Sequence, residues 1–430
     1  MRISGLLISV STFSFLSFLR RAIFYAFFYV YLRTFLGLSN TLSALLGTAN
    51  LLTSTIGQLK LWGPKLNQNP DLARKYVIRG EVIAGIVYLI AFAGHRIFIM
   101  LETTFGAALF LISCTSFLEI FWSGSDLGIR QLQAEATKGK NRGRLVGTID
   151  GVGLMGQLLG FLFGGVLYRD GFGFYDGSMF YIVVILIFSC ALVIYLSPYD
   201  SAIKEGDKVI LTAGGIKEVL KVPSFGYFIT ILGILTIGIN ASTQIFLYYV
   251  TDHSSLNFSE ELLSFLLILF TLSGGIMSPI GGKISDYFGR IPIIILSSLG
   301  AASSYFLLFY LGQQPFIIIA FIYTILGGSA AVLQSIAFAH SADLLPIEFQ
   351  GTGFGVFNIT LATGWGLAGF LIGGPVADIL IHVGLPNAFA YRYSFLASSL
   401  LIAFGIIALI IIILFKRSSV DDVSEIMGRK

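Results

Sequence analysis

Charge is what this chain has least of. Of its 430 residues, 12% are Asp, Glu, Lys or Arg, about half the ~25% usual in soluble domains. That scarcity excludes a water-soluble protein of ordinary composition and, with 56% hydrophobic residues, points to a polytopic membrane protein. Cysteine is almost absent. Cys114 and Cys190 both fall inside apolar runs, where they read as small packing residues and imply neither a disulfide nor a metal site. His95, His253, His340 and His382 are scattered without ligand spacing. There is no Gly-x4-Gly-Lys-Ser/Thr loop for ATP-driven pumping and no nucleophile–base constellation. The expectation is therefore a protein that is not an enzyme and needs no cofactor or metal. A net charge of +4 is not a nucleic-acid signal.

What is present is apolar length. A helix crosses the hydrocarbon core in about 20 residues, and irregular backbone cannot face lipid. Spans are expected at 6–35, 39–61, 76–95, 104–130, 145–167 and 178–197, then at 224–250, 260–281, 291–312, 315–340, 352–381 and 390–415. The 49 glycines suit close helix packing in lipid. The fold class is all-α: a polytopic membrane protein of 12 transmembrane helices. The first span has only Arg2 as a basic flank and no small-residue cleavage site before Arg20 and Arg21, so it reads as a mature helix rather than a signal peptide. If the N-terminus is cytoplasmic, the inside segments hold 21 Lys and Arg, against Arg33, Arg96, Arg169 and Arg392 outside. By the positive-inside rule this bias puts both termini in the cytoplasm, and the expected location is the cytoplasmic membrane.

The one long polar stretch, 197–223, divides the chain near its middle, and its second part has the pattern of a short amphipathic surface helix. The two sides look alike. Leu36-Gly37-Leu38-Ser39 matches Leu256-Asn257-Phe258-Ser259, and Tyr29-Val30 matches Tyr249-Val250, both at an offset of 220. Ala134-Glu135 with Gly143, Gly147 and Gly156 matches Ala342-Asp343 with Gly351, Gly355 and Gly364 at an offset of 208. The expected organisation is two six-helix pseudo-repeats, 1–197 and 224–415, with a central cytoplasmic loop at 198–223 and a cytoplasmic tail at 416–430. Internal repeats place a transporter's substrate site near mid-membrane where they meet.

Between spans eight and nine, residues 282–290 read Gly-Lys-Ile-Ser-Asp-Tyr-Phe-Gly-Arg. This string, the six-plus-six arrangement and the central loop together resemble the major facilitator superfamily of secondary transporters over essentially the whole chain. The resemblance implies a two-bundle fold that moves a small molecule by alternating access, with spans one and seven lining the cavity. The loop after span two, which normally carries the better copy of the signature, is stretched here and interrupted by Pro64 and Pro70. Gly282, Asp286, Gly289 and Arg290 are candidate gating residues, tying helix ends together on the inner side; a tight basic turn is the alternative. A second string, Gly147, Gly156, Gly160, Gly164 and Gly165, resembles the antiporter signature of drug-exporting members, with Phe161 where that signature has proline. Small-residue helix packing explains it equally well, as the similar glycines of span eleven show.

Charges inside spans carry the remaining signal, because each costs roughly 2.5–3.5 kcal/mol on insertion scales unless it meets a cavity or a partner. Arg20 and Arg21 sit near the middle of the first span, and the 220 offset sets Arg20 opposite Asn240, with Gln244 one turn on. Arg20, Asn240, Gln244 and Tyr25 are the candidate substrate-binding residues; the alternative for Arg20 is a structural ion pair. Only one of two adjacent arginines can face the cavity squarely. Trp122 and Trp365 are further candidates for the cavity wall. Glu119, flanked by Leu118 and Ile120, is the candidate proton carrier or a fixed partner of Arg20 or Arg21. Asp126 and Arg130, spaced i,i+4, read as a structural or gating pair, with Asp150 at similar depth. The expected activity is proton-coupled efflux of a small molecule by a monomer in the lipid bilayer. The alternative is an uptake symporter for a sugar or organic anion. A membrane-embedded receptor or enzyme ranks below both, for want of a sensing or catalytic constellation.

Overall fold

The computed structural model describes residues 2–68, 72–136, 142–198, 213–345 and 350–427. Helices account for nearly all of them, and no strand occurs among the described residues. Eleven helices are long and apolar enough to cross a membrane: α1 Gly5–Phe35, α3 Ala73–Met100, α4 Thr104–Gln133, α5 Thr148–Tyr175, α6 Ser178–Tyr195, α7 Ser224–Thr251, α8 Glu260–Phe288, α9 Arg290–Leu311, α10 Phe316–Leu344, α11 Gly355–His382 and α12 Asn387–Leu414. The twelfth expected span is α2, Asn40–Ile56, whose 17 residues of regular helix continue through a wider-wound stretch, Gly57–Trp62. The amphipathic part of the central segment forms a short helix, Ala213–Leu220. Residues 199–212 lie outside the described residues.

The repeat is visible at the level of single bonds. Ser39 caps α2 by accepting from the amide of Leu42 at 3.2 Å, and Ser259 caps α8 by accepting from Leu262 at 3.5 Å. Two residues before each cap the backbone turns left-handed, at Gly37 (φ 74°) and at Asn257 (φ 52°). Glycine and asparagine are the residues that reach this region at least cost. The same cap built from the same sequence pattern at an offset of 220 marks α2 and α8 as equivalents.

One end of the bundle gathers Gly5 against the ring of Pro198, and Arg74 against the carbonyl of Tyr195. This is the terminus end. At the opposite, far end, the Arg96 guanidinium donates to the Tyr175 carbonyl at 3.1 Å and lies over its ring, and the Tyr31 hydroxyl lies 2.6 Å from His95 Nε2. Between the ends, α1 packs on α5 and α7 packs on α11 through glycines. A side chain at Gly160 would collide with the Leu19 carbonyl, and one at Gly364 with Thr236. α7 is broken at Ser242 (φ −108°), whose hydroxyl donates to the Ser394 carbonyl at 2.7 Å. The break leaves Asn240 and Gln244 on either side of it.

Candidate functional site

A cavity of about 770 Å³ lies between α1–α6 and α7–α12. Tyr25 and Tyr29 of α1, Gln157 of α5, Asn240 and Gln244 of α7, Gln334 of α10 and Trp365 of α11 supply its polar and aromatic wall. Arg21 is the only charged residue among those lining it. Asn240 Nδ2 donates to the Thr236 carbonyl at 2.8 Å, one turn back on its own helix. Gln244 Oε1 is buried with no donor in reach. Trp365 is 60% exposed, although it sits in the middle of a span. A broken helix presenting amides to a mid-membrane cavity is how secondary transporters build substrate sites.

The arginine expected at this cavity is displaced by one position. Arg20 is 1% exposed and does not line it. Its guanidinium turns to α3, donating from one nitrogen to Glu81 Oε2 and from the other to Oε1 at 3.2 Å, and stacks 4.3 Å over the ring of Trp122. Ser125 (2.8 Å) and Trp122 Nε1 (3.3 Å) complete the set of donors around Glu81. The assignment of Arg20 to substrate is therefore corrected to a sealed ion pair, and Trp122 belongs to it rather than to the cavity wall. Arg21, about 100° around the helix, reaches the cavity and donates to Asp126 Oδ1 at 3.0 Å. The expected Asp126–Arg130 pair is not formed: Asp126 faces α1, and Arg130 is exposed, its charge acting on Asp150.

Glu119 stands one side chain behind the wall. Tyr25, which lines the cavity, donates its hydroxyl to Glu119 Oε1 at 3.3 Å. It is not the lone intramembrane carboxylate, since Glu81 is also inside the bundle, but it differs in lacking an arginine bonded to it among the described residues.

The candidate gate divides differently from expectation. Arg290 donates to Asp286 at 2.6 Å, to Ser285 at 2.7 Å and to Asp343 at 3.3 Å. All four residues belong to α8–α10, so this cluster ties one half to itself. Gly289 (φ 87°) makes the turn between α8 and α9, and Gly282 has open space around it. Bonds that join the halves occur in the middle and at the far end. Thr48 donates to the Gly366 carbonyl at 2.6 Å. Asp378 of α11 accepts from the amides of Asn40 and Thr41 at 2.9 and 2.8 Å, and from Asn40 Nδ2 at 2.8 Å, capping the N-terminus of α2 from across the interface. The halves are thus bonded to each other at the far end, while the bonds of Arg290 to Ser285, Asp286 and Asp343 run within the second half.

The glycine string of α5 is a packing surface. Gly156, Gly160 and Gly164 meet α1, and Gly165 meets Ser264 of α8. The surroundings of Gly147 lie outside what is described. Sequence reasoning passed over Glu81, Gln157, Gln334 and Asp378. Each is a polar residue inside an apolar span, and that was the signal available for all four.

The family profile described as Major Facilitator Superfamily matches residues 10–369 and 224–427. The chain belongs to this superfamily. Among curated relatives it is 29% identical to "Tetracycline resistance protein, class C" of Escherichia coli over 136 residues, 32% of this chain and 31% of that protein. It is 32% identical to "Multidrug resistance protein 1" of Bacillus subtilis (strain 168) over 151 residues, 35% and 37% of the two chains. The chain thus matches about a third of the length of these relatives. Among solved structures, the nucleoside transporter NupG superposes with a TM-score of 0.75 at 13% identity, covering 94% of this chain and 99% of that one. A D-xylose-proton symporter superposes with a TM-score of 0.65 at 16% identity, covering 94% and 97%. At these identities the superpositions show a shared fold. The chain is accordingly a multi-pass membrane protein of this superfamily.

Proposed function

We propose that this member of the superfamily exports its substrate in exchange for protons, acting as a monomer in the cytoplasmic membrane with both termini inside. The observation that carries the reading is the position of Glu119: a carboxylate one side chain behind the cavity wall, bonded to a residue of that wall. A proton site so placed sees both the substrate and whichever end of the bundle is open. The outward direction is supported by the names of the relatives, because resistance is what outward movement of a toxic compound produces. The bundles 1–197 and 224–415 rock about the cavity, with Asp378 closing the outer side in this state and the 282–290 cluster available to close the inner side in the other. The test uses everted vesicles and tetracycline. Glu119→Gln should abolish tetracycline accumulation driven by a pH gradient while sparing exchange of tetracycline down its own gradient; unchanged pH-driven accumulation removes Glu119 as the coupling site.

The second reading is uptake of an organic anion with protons, favoured by Arg21 being the only charge lining the cavity. A proton on Glu119 raises the potential around Arg21, so proton and anion would bind together, and by linkage that means symport. Net anion uptake with protons into right-side-out vesicles would establish it in place of export.

A further inference from the structure

We propose that Tyr25 is the coupling residue between ligand and proton, and that the group it selects in the ligand is a hydrogen-bond donor on an uncharged aromatic amphiphile. The inference rests on Glu119 being the proton site. Tyr25 is shared between two environments: it lines the cavity, while its hydroxyl donates to Glu119 Oε1 at 3.3 Å and lies beside the hydroxyl of Tyr88. Glu119 does not line the cavity, so a ligand addresses it through Tyr25. A phenol oxygen has lone pairs left when its proton is donated. A ligand donor placed on that oxygen polarises the O–H, and chained hydrogen bonds strengthen one another. The strengthened bond favours the carboxylate of Glu119 over the carboxylic acid, and the proton leaves for the open side of the cavity. By reciprocity, a proton on Glu119 weakens the ligand. Ligand and proton then exclude one another, which is the condition for exchange.

The wall agrees with such a ligand. Gln244 Oε1 is a second buried acceptor without a donor, and the aromatic residues Tyr305, Tyr323, Phe270 and Trp365 are among those lining the cavity. No carboxylate lines the cavity to hold a permanent cation, and the guanidinium of Arg21 is already engaged by Asp126. The titratable and charged groups facing Glu119 are few. From α1 they are Arg20, Arg21, Tyr25 and Tyr29, from α3 Tyr88, and on its own helix Asp126. Glu81 of α3 is paired with Arg20, and α2 carries no titratable side chain.

The test needs no knowledge of the natural substrate. Infrared difference titration of the purified full chain follows the protonated carboxyl band that Glu119→Gln removes. Tyr25→Phe keeps the ring and loses the donor, and should raise the midpoint of that band by about one pH unit. Tyr29→Phe, which removes a hydroxyl from the same wall, should move it by less than half as much. In the wild type, millimolar phenol should lower the midpoint, whereas anisole, the same ring without the donor, should leave it in place. An unchanged midpoint in Tyr25→Phe, an equal shift in Tyr29→Phe, or indistinguishable responses to phenol and anisole each overturn the role of Tyr25 while leaving Glu119 as the proton site. If Glu119→Gln removes no titrating band, the proton site itself is wrong and both readings fall together.

Discussion

Arg20 and Arg21 are consecutive residues of one helix, and their surroundings have almost nothing in common. Arg20 is 1% exposed and bonded to a carboxylate that is equally buried; Arg21 is 38% exposed and bonded to one that is 35% exposed. The first pair is sealed between α1, α3 and α4 under an indole ring, with serine and indole donors satisfying what the guanidinium does not. The second opens onto the cavity. A buried pair is held by the penalty for breaking it, since an unmatched charge would be left in a low-dielectric interior. A half-exposed pair is weakly held and can exchange partners. The one is suited to hold a bundle together and the other to respond to what enters the cavity.

That contrast can be broken by mutation. The largest effect is expected for Arg20→Met, which strands Glu81 and should cost about 3–5 kcal/mol of stability, read as a drop in the unfolding midpoint of the purified protein. The double change Arg20→Met with Glu81→Leu should recover most of the loss, because two apolar side chains replace two charges; no recovery would mean that packing against Trp122, rather than charge, is what Arg20 provides. Next is Asp378→Asn. Its carboxylate accepts three bonds across the far-end interface, and losing the charge at a helix N-terminus should shift the balance toward the state open at that end by about 1–3 kcal/mol. Thiol labelling of a cysteine placed at Thr41 would report it, and unchanged labelling would show that the latch lies elsewhere. Arg21→Gln should change stability by less than about 1 kcal/mol yet reduce transport at least about tenfold, a loss of about 1.4 kcal/mol in the transport step. A large stability loss would erase the distinction between the two arginines.

The smallest effect concerns Asp252, beyond the end of α7. Burial pushes its carboxyl up, but donors from Ser254, Asn387 and Tyr391 outweigh that and hold it below the usual carboxylate range. Its contribution to stability is therefore complete above its unfolded value of about 3.9 and is lost as pH falls through the lower folded value. Asp252→Asn should cost about 1 kcal/mol at neutral pH, with the difference from wild type vanishing in acid.

Much of the fold was legible because membrane helices declare themselves by length. The repeat of 36–39 at 256–259 was legible as well; that each string ends in a serine cap two residues after a left-handed turn came from the structure. The candidate site was legible as an inventory. Asn240, Gln244, Tyr25 and Glu119 all come to the cavity or one side chain behind it. The partners of the charges were not. The i,i+4 spacing of Asp126 and Arg130 suggested a pair within one helix, whereas Asp126 bonds across to α1. Glu81, close to the start of its expected span, was passed over, although α3 places it opposite Arg20.

By itself the sequence determined the number of helices, their order and the repeat at 220 residues. These follow from apolar length and local capping, which need no tertiary information. Tertiary structure alone decided how each helix is rotated about its axis, and thus that Arg21 rather than Arg20 meets the cavity. The physical reason lies in the solvent. In water the polar face of a helix reveals its orientation, but lipid is as apolar as a protein core, so a helix such as α1 is hydrophobic on every side. Its rotation is set by glycine contacts and ion pairs with neighbours far away in the chain, at Gly160 and at Glu81.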